Sequence, residues 1–223
     1  HKVTDEDEWL CEAYMKTDYS RLSSYEFQST LNKHLAHLIC HQMTNLEPHF
    51  VHTSTKVDLW EKPWKEFAVD ELFQVKYGIN MELINCETVR DWNDGETVSF
   101  VARTENDNGV VAYVKATEGK QPQAAGLLTC AGGGSVLSTF VQRRPFYSGR
   151  DLYLLIPKYD MSIYSKLFCC TVIEANKYRF SYGRQANKTL PSLRLKLPAK
   201  KDGTPDFEHM ENYIKSLPYS DRI

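Results

Sequence analysis

Apolar and polar positions follow two rhythms along the chain, and the change falls near Trp60. Before it, apolar residues recur at helical spacing. Trp9, Leu10, Ala13 and Tyr14 follow Thr4 and a run of acids; Thr4 is placed to cap, and the carboxylates face the positive end of the helix dipole. A second helix is predicted over residues 24–43, with Phe27, Leu31, Leu35, Leu38 and Met43 near one face and Pro48 beyond its end. After Trp60 the rhythm shortens. Strand-like runs at 97–101, 110–114, 126–130, 136–142 and 152–156 alternate with turn signals such as Asn93-Asp94-Gly95 and Asn106-Asp107-Asn108-Gly109. Helical spacing returns from Ser162 to about Lys177 through Leu167, Phe168, Val172, Ile173 and Ala175. A last strand is predicted at 193–197, closed by Pro198, and a last helix from Asp206 to about Ser216.

The predicted class is therefore α+β: N-terminal helices, a β-rich mixed sheet or partly rolled barrel, and a short C-terminal helix. The expected organisation is a helical segment over 1–59, a β-rich domain over 60–200, and the start of a spacer or exit helix over 201–223.

Composition narrows the function classes. The 42% hydrophobic and 25% charged fractions exclude wholesale disorder. No run of about eighteen uncharged apolar residues exists to span a membrane, and no signal peptide is visible. The six cysteines are too irregularly spaced for a disulfide framework, so reduced thiols and a cytoplasmic location are expected. The net charge of −2 hides an asymmetry: residues 143–201 alone carry a net +10. Such an excess is the footprint of a surface that binds a polyanion; its rival is a solvated face that pairs with the acids upstream.

Several motifs could carry chemistry. Gly132-Gly133-Gly134-Ser135 lacks the Gly-Lys-Ser/Thr ending of a phosphate-cradling loop, and reads instead as a turn or a place of close backbone approach. His34, His37 and His41, with Cys40, share a helical stripe but have no fourth metal ligand at a convincing spacing. Asp107 with Glu118 and Lys120 matches the acid-plus-ExK arrangement of metal-dependent nucleases, the alternative enzymatic reading. The β-rich half is dense in forked and amide side chains. Arg143, Arg144, Arg150, Arg184 and Lys188 are the candidates for charge-assisted DNA contacts. Gln142, Gln185, Asn187, Tyr182, Arg103, Thr104 and Asn106 are the candidates for base reading. Arg150 has a rival role as a structural partner of Asp151, and Phe146 and Phe180 are expected to pack in the core.

Trp64-Lys65-Glu66-Phe67 through Phe73, with Tyr77-Gly78, resembles the opening of a target-recognition domain of type I restriction–modification specificity subunits, or the related domain of fused type II enzymes. Asn108-Gly109-Val110 with Tyr113-Val114 is similar to that family's next block. So are Gly134-Ser135-Val136, Phe140-Val141-Gln142, Pro145-Phe146-Tyr147 and the residues from Leu154 to Pro157. Tyr178, Tyr182-Gly183-Arg184 and the segment from Leu193 to Pro198 resemble the closing block.

The resemblance implies a non-catalytic subunit that reads one half of a bipartite double-stranded DNA sequence. Its partners would be a methyltransferase subunit and, in some systems, a restriction subunit. It implies no cofactor here, since S-adenosylmethionine binds the methyltransferase partner. Family members usually carry two such domains and two long helices, whereas one domain is visible here. The expectation is thus a fragment, a half-size subunit acting as a homodimer, or the tail of a fused enzyme.

Overall fold

The computed structural model describes residues 57–223 apart from 91, 94, 181–184, 218, 219, 221 and 222. The two expected N-terminal helices and the His34, His37, Cys40 and His41 stripe lie outside the described residues, as do Tyr182 and Arg184. In chain order the named elements are β1 (Trp64–Ala68), α1 (Val69–Leu72), β2 (Phe73–Tyr77), β3 (Thr88–Val89), β4 (Thr97–Val101), β5 (Val110–Lys115), β6 (Leu128–Ala131), β7 (Thr139–Val141), β8 (Phe146–Ser148), β9 (Leu152–Pro157), α2 (Ile163–Glu174), β10 (Arg194–Pro198) and α3 (Phe207–Lys215). The mixed α/β class is the one expected.

The strands form three sheets: β1 with β10, the order β2-β9-β6-β7, and the order β3-β5-β4-β8. All pairings are antiparallel except β4 with β8. Strand character follows local sequence. In β10 the alternation Arg194-Leu195-Lys196-Leu197 places both leucines in the core and both cations in solvent, as a period of two requires. In β4 all five residues are buried, because the strand lies between β5 and β8. The Asn106–Gly109 turn has left-handed φ of 50°, 54° and 81° at Asp107, Asn108 and Gly109, the conformation its Asn/Asp/Gly content favours.

Helix α2 is apolar nearly all round and is packed accordingly, with every residue from Leu167 to Ile173 buried. Ser162 caps it by accepting from the Ser165 amide at 3.3 Å. Its other end stops at Glu174, short of the predicted Lys177, where the Asn176 side chain donates to the Val172 carbonyl at 2.8 Å and residues 177–180 tighten into a 3-10 turn. Asp206 caps α3 through the His209 amide at 3.1 Å. That helix turns Met210, Tyr213 and Ile214 into the same cluster as α2, β1 and β10, with Tyr213 edge-on to Phe168.

A second cluster joins the two four-stranded sheets: Val101 and Phe146 from one, Ala131, Leu152 and Leu154 from the other. Phe146 is fully buried and Phe180 packs half-buried on the main core. The seam between these sheets positions the candidate site.

Candidate nucleic-acid interface

Antiparallel pairing brings the C-terminal ends of β2 and β6 beside the N-terminal end of β9, and the close of β4 meets them across the sheet seam. Four short segments converge there. Arg103 follows β4, Gly132 to Gly134 follow β6, Asp151 precedes β9, and Tyr77 ends β2. The Arg103 guanidinium donates to Asp151 Oδ2 at 2.6 Å, with the two side chains 34% and 19% exposed. This is a charge-assisted contact that solvent reaches but does not surround.

Asp151 is itself held twice by Tyr77. Its backbone amide donates to the Tyr77 hydroxyl at 2.9 Å, and that hydroxyl donates to Oδ1 at 3.2 Å. Its backbone is left-handed, with φ 53°. Tyr153 stands edge-on to Tyr77 at 5.2 Å between ring centres. Burial first, then the negative potential of Tyr77 and Asp151, pushes the Tyr153 hydroxyl above its ordinary range.

Glycine makes this close packing possible. A Cβ on Gly132 would overlap Asn187 Oδ1 and come within 2.7 Å of the Tyr153 ring. A Cβ on Gly133 would meet both Arg103 Nη1, at 3.3 Å, and Gln185 Nε2, at 3.5 Å. Gly132 also ties the walls together: its amide donates to the Asp151 carbonyl and its carbonyl accepts from the Ala186 amide, both at 2.8 Å. Asn187 donates to Gln185 Oε1 at 2.8 Å, while its buried Oδ1 has no hydrogen-bond partner among the described residues.

Of the residues expected to contact DNA, the structure therefore brings together Arg103, Gln185 and Asn187. Lys188 is exposed next to them. Thr104 and the exposed Asn106 continue the Arg103 loop, with the Asn106 amide on Thr104 Oγ1 at 3.2 Å. Arg150 flanks the site, 68% exposed and 3.8 Å from Glu82; the carboxylate of Asp151 is taken by Arg103, so the rival role of Arg150 as its partner is not what forms.

Gln142 is a correction. It is 3% exposed, and its amide donates to the Asn108 carbonyl and to Thr129 Oγ1, both at 2.9 Å, so it braces the core instead of facing a ligand. Arg143 and Arg144 are exposed but engaged elsewhere. Arg143 donates to the Ile223 carbonyl, and Arg144 lies 4.2 Å over the Trp92 ring, which stands edge-on to Tyr113. Among the described residues, part of the expected cationic face is thus occupied by contacts within the chain. The rival reading is realised in part: Arg150, Lys177 and Arg194 pair with the upstream acids Glu82, Glu105 and Glu71.

Nothing in the structure supports the nuclease alternative: Asp107 lies in the turn before β5 and Glu118 beyond the strand's other end. Among the described residues no group of three or more His, Cys, Asp and Glu could hold a metal ion, and no helix is long and apolar enough to cross a membrane.

Sequence reasoning passed over Asp151 and Tyr77 as site residues. The available signal was Asp151 itself, one of few acids in a strongly basic stretch, directly after the Gly149-Arg150 turn.

The chain is 28% identical over 156 residues to the type II restriction enzyme BgcI specificity subunit S.BcgI of Heyndrickxia coagulans; the match covers 69% of this chain and 43% of that subunit. The chain thus spans less than half the length of that relative. Its fold is similar to the HsdS subunit of Thermoanaerobacter tengcongensis, with TM-score 0.51 and 15% identity over 98% of this chain and 46% of that one. It is also similar to a chain of a type I R-M system solved for its complex assembly and conformational transition, with TM-score 0.52 and 16% identity over 97% and 49%. The profile of the type I restriction modification DNA specificity domain matches residues 61–218, which takes in every named strand and helix, and the chain belongs to that family.

Proposed function

We propose that residues 60–200 read one half of a bipartite double-stranded DNA target on behalf of a methyltransferase subunit and, in a restricting system, a nuclease subunit, with α3 closing the domain. The observation that carries this reading is the side-chain cluster at the sheet seam. There Arg103, Gln185 and Asn187, three side chains with hydrogen-bonding forks suited to base edges, converge over a glycine run whose missing Cβ atoms leave room for them. Lys188 and Arg150 are exposed beside it and supply the phosphate contacts that set register. Arg184 and Tyr182, expected from the sequence, remain proposed contacts. Arg143 and Arg144 are proposed as outlying phosphate contacts, to be reached only if the duplex extends along the second sheet.

The chain acts by binding, without catalysis of its own. S-adenosylmethionine chemistry belongs to the partner, and a second reading domain comes from the rest of a longer chain or from a second copy. Duplex binding by the full chain, titrated against salt, tests this. Preference for one duplex sequence over random duplex, with log affinity falling linearly in log salt, is the expected result. Equal affinity for all duplexes, or methyl transfer or cleavage by the purified chain alone, overturns it.

A further inference from the structure

Arg103 and Asp151 form a pair whose charge sum is zero, at a point where the absence of a Cβ on Gly133 and Gly134 lets the Arg103 side chain lie close against the backbone. A lone arginine is attracted to any phosphate. One with a carboxylate 2.6 Å away is attracted far less, because the carboxylate repels the same anion from a comparable distance. What such a pair retains is its direction. Asp151 occupies one Nη of the guanidinium and fixes the plane of the fork, and Asp151 is fixed in turn by both hydrogen bonds to Tyr77. The remaining N–H donors suit a neutral edge with two acceptors side by side. Among the base edges in the major groove, guanine offers that pattern through O6 and N7.

We infer that Arg103 is the reader of a guanine in the target and that Asp151, held by Tyr77, is the residue that positions it. This rests on the DNA-reading function proposed above and adds the identity of one base. It also separates Arg103 from the flanking cations Lys188 and Arg150, whose contacts are with phosphate. Asp151→Asn is a clean probe, since asparagine is the same size and accepts the left-handed backbone found at this position.

The test is selection of a randomised duplex pool by the full chain, by R103K and by D151N, with thermal unfolding of each variant measured alongside. The unaltered chain is expected to enrich a motif containing a guanine. Preference for that guanine should fall about five- to hundredfold in R103K, because lysine keeps the charge but has no fork to span O6 and N7. D151N should reduce the preference at that same position, with the other positions retained. Replacing that guanine by 7-deazaguanine, which lacks the N7 acceptor, should weaken the unaltered chain but not R103K. If D151N fails to fold, Tyr77→Phe, which removes only the hydroxyl that holds Asp151, takes its place. Motifs that superimpose across the variants overturn the assignment, as does a uniform loss at every position. An unaltered chain that enriches no motif overturns the DNA-reading function itself and this assignment with it.

Discussion

Gly132 has room for a hydrogen atom and nothing more. Gly132→Ala would drive a methyl group into the Asn187 amide and the Tyr153 ring, an overpacking that costs about 1–3 kcal/mol. The expected outcome is a lower denaturation midpoint together with weakened DNA binding, measured on the same preparation. Gln142 separates stability from binding. Gln142→Leu leaves the Asn108 carbonyl and the Thr129 hydroxyl without their donor, a loss of about 1–3 kcal/mol, while base preference in a duplex selection should stay as it was. A changed base preference would return Gln142 to the reading surface. From sequence, Gln142 and Gln185 are equivalent amides near arginines. What distinguishes them is that Gln142 directly follows the buried strand β7 beside β6 whereas Gln185 is exposed, and only the assembled sheet decides that.

Helices α2 and α3 announce themselves. Ser162 and Asp206 are cap residues directly before apolar spacing, and both accept the expected backbone amides. Strands β4, β5, β9 and β10 were equally legible from their apolar runs. The stretch from Trp64 to Tyr77 was not legible by pattern, because a four-residue helix interrupts it and β1 shows no clean alternation of buried and exposed positions. Strand β8 has three residues and gains its place by pairing in parallel with β4, a long-range contact that no local rhythm encodes.

Helix α3 has an acid sensitivity of known sign. Hydrogen bonds from Lys215 first and then Ser162 hold the Glu211 carboxyl below its ordinary 4.5. A depressed folded value means the stabilisation is present above about 4.5 and is lost as pH falls through the lower, folded value. Glu211→Gln should therefore lower the unfolding midpoint at neutral pH, with variant and unaltered chain converging in acid. Parallel pH profiles would remove Glu211 from this role.

Three of the four described thiols lie inside the molecule. Burial pushes Cys130 and Cys169 up to about 12 and raises Cys170 well above its ordinary value, whereas Cys86 is half-buried and raised by burial alone. Of the four described thiols, Cys86 alone should be alkylated in the native protein near pH 8, the other three only after unfolding; peptide mass mapping checks this. The candidate site is half legible in the sequence. Arg103, Gln185 and Asn187 were nominated by residue type, but their meeting depends on four strand ends arriving together, and the charge excess of residues 143–201 pointed toward arginines that the fold engages elsewhere.

Arg103 and Asp151 are donated by different sheets, 48 positions apart in the chain. Under the proposed assignment, a change in the base read at this position is therefore a two-locus event. Grafting either loop alone from a relative leaves an ionised group facing a stranger, whereas inheritance of the entire unit moves both halves of the lock at once.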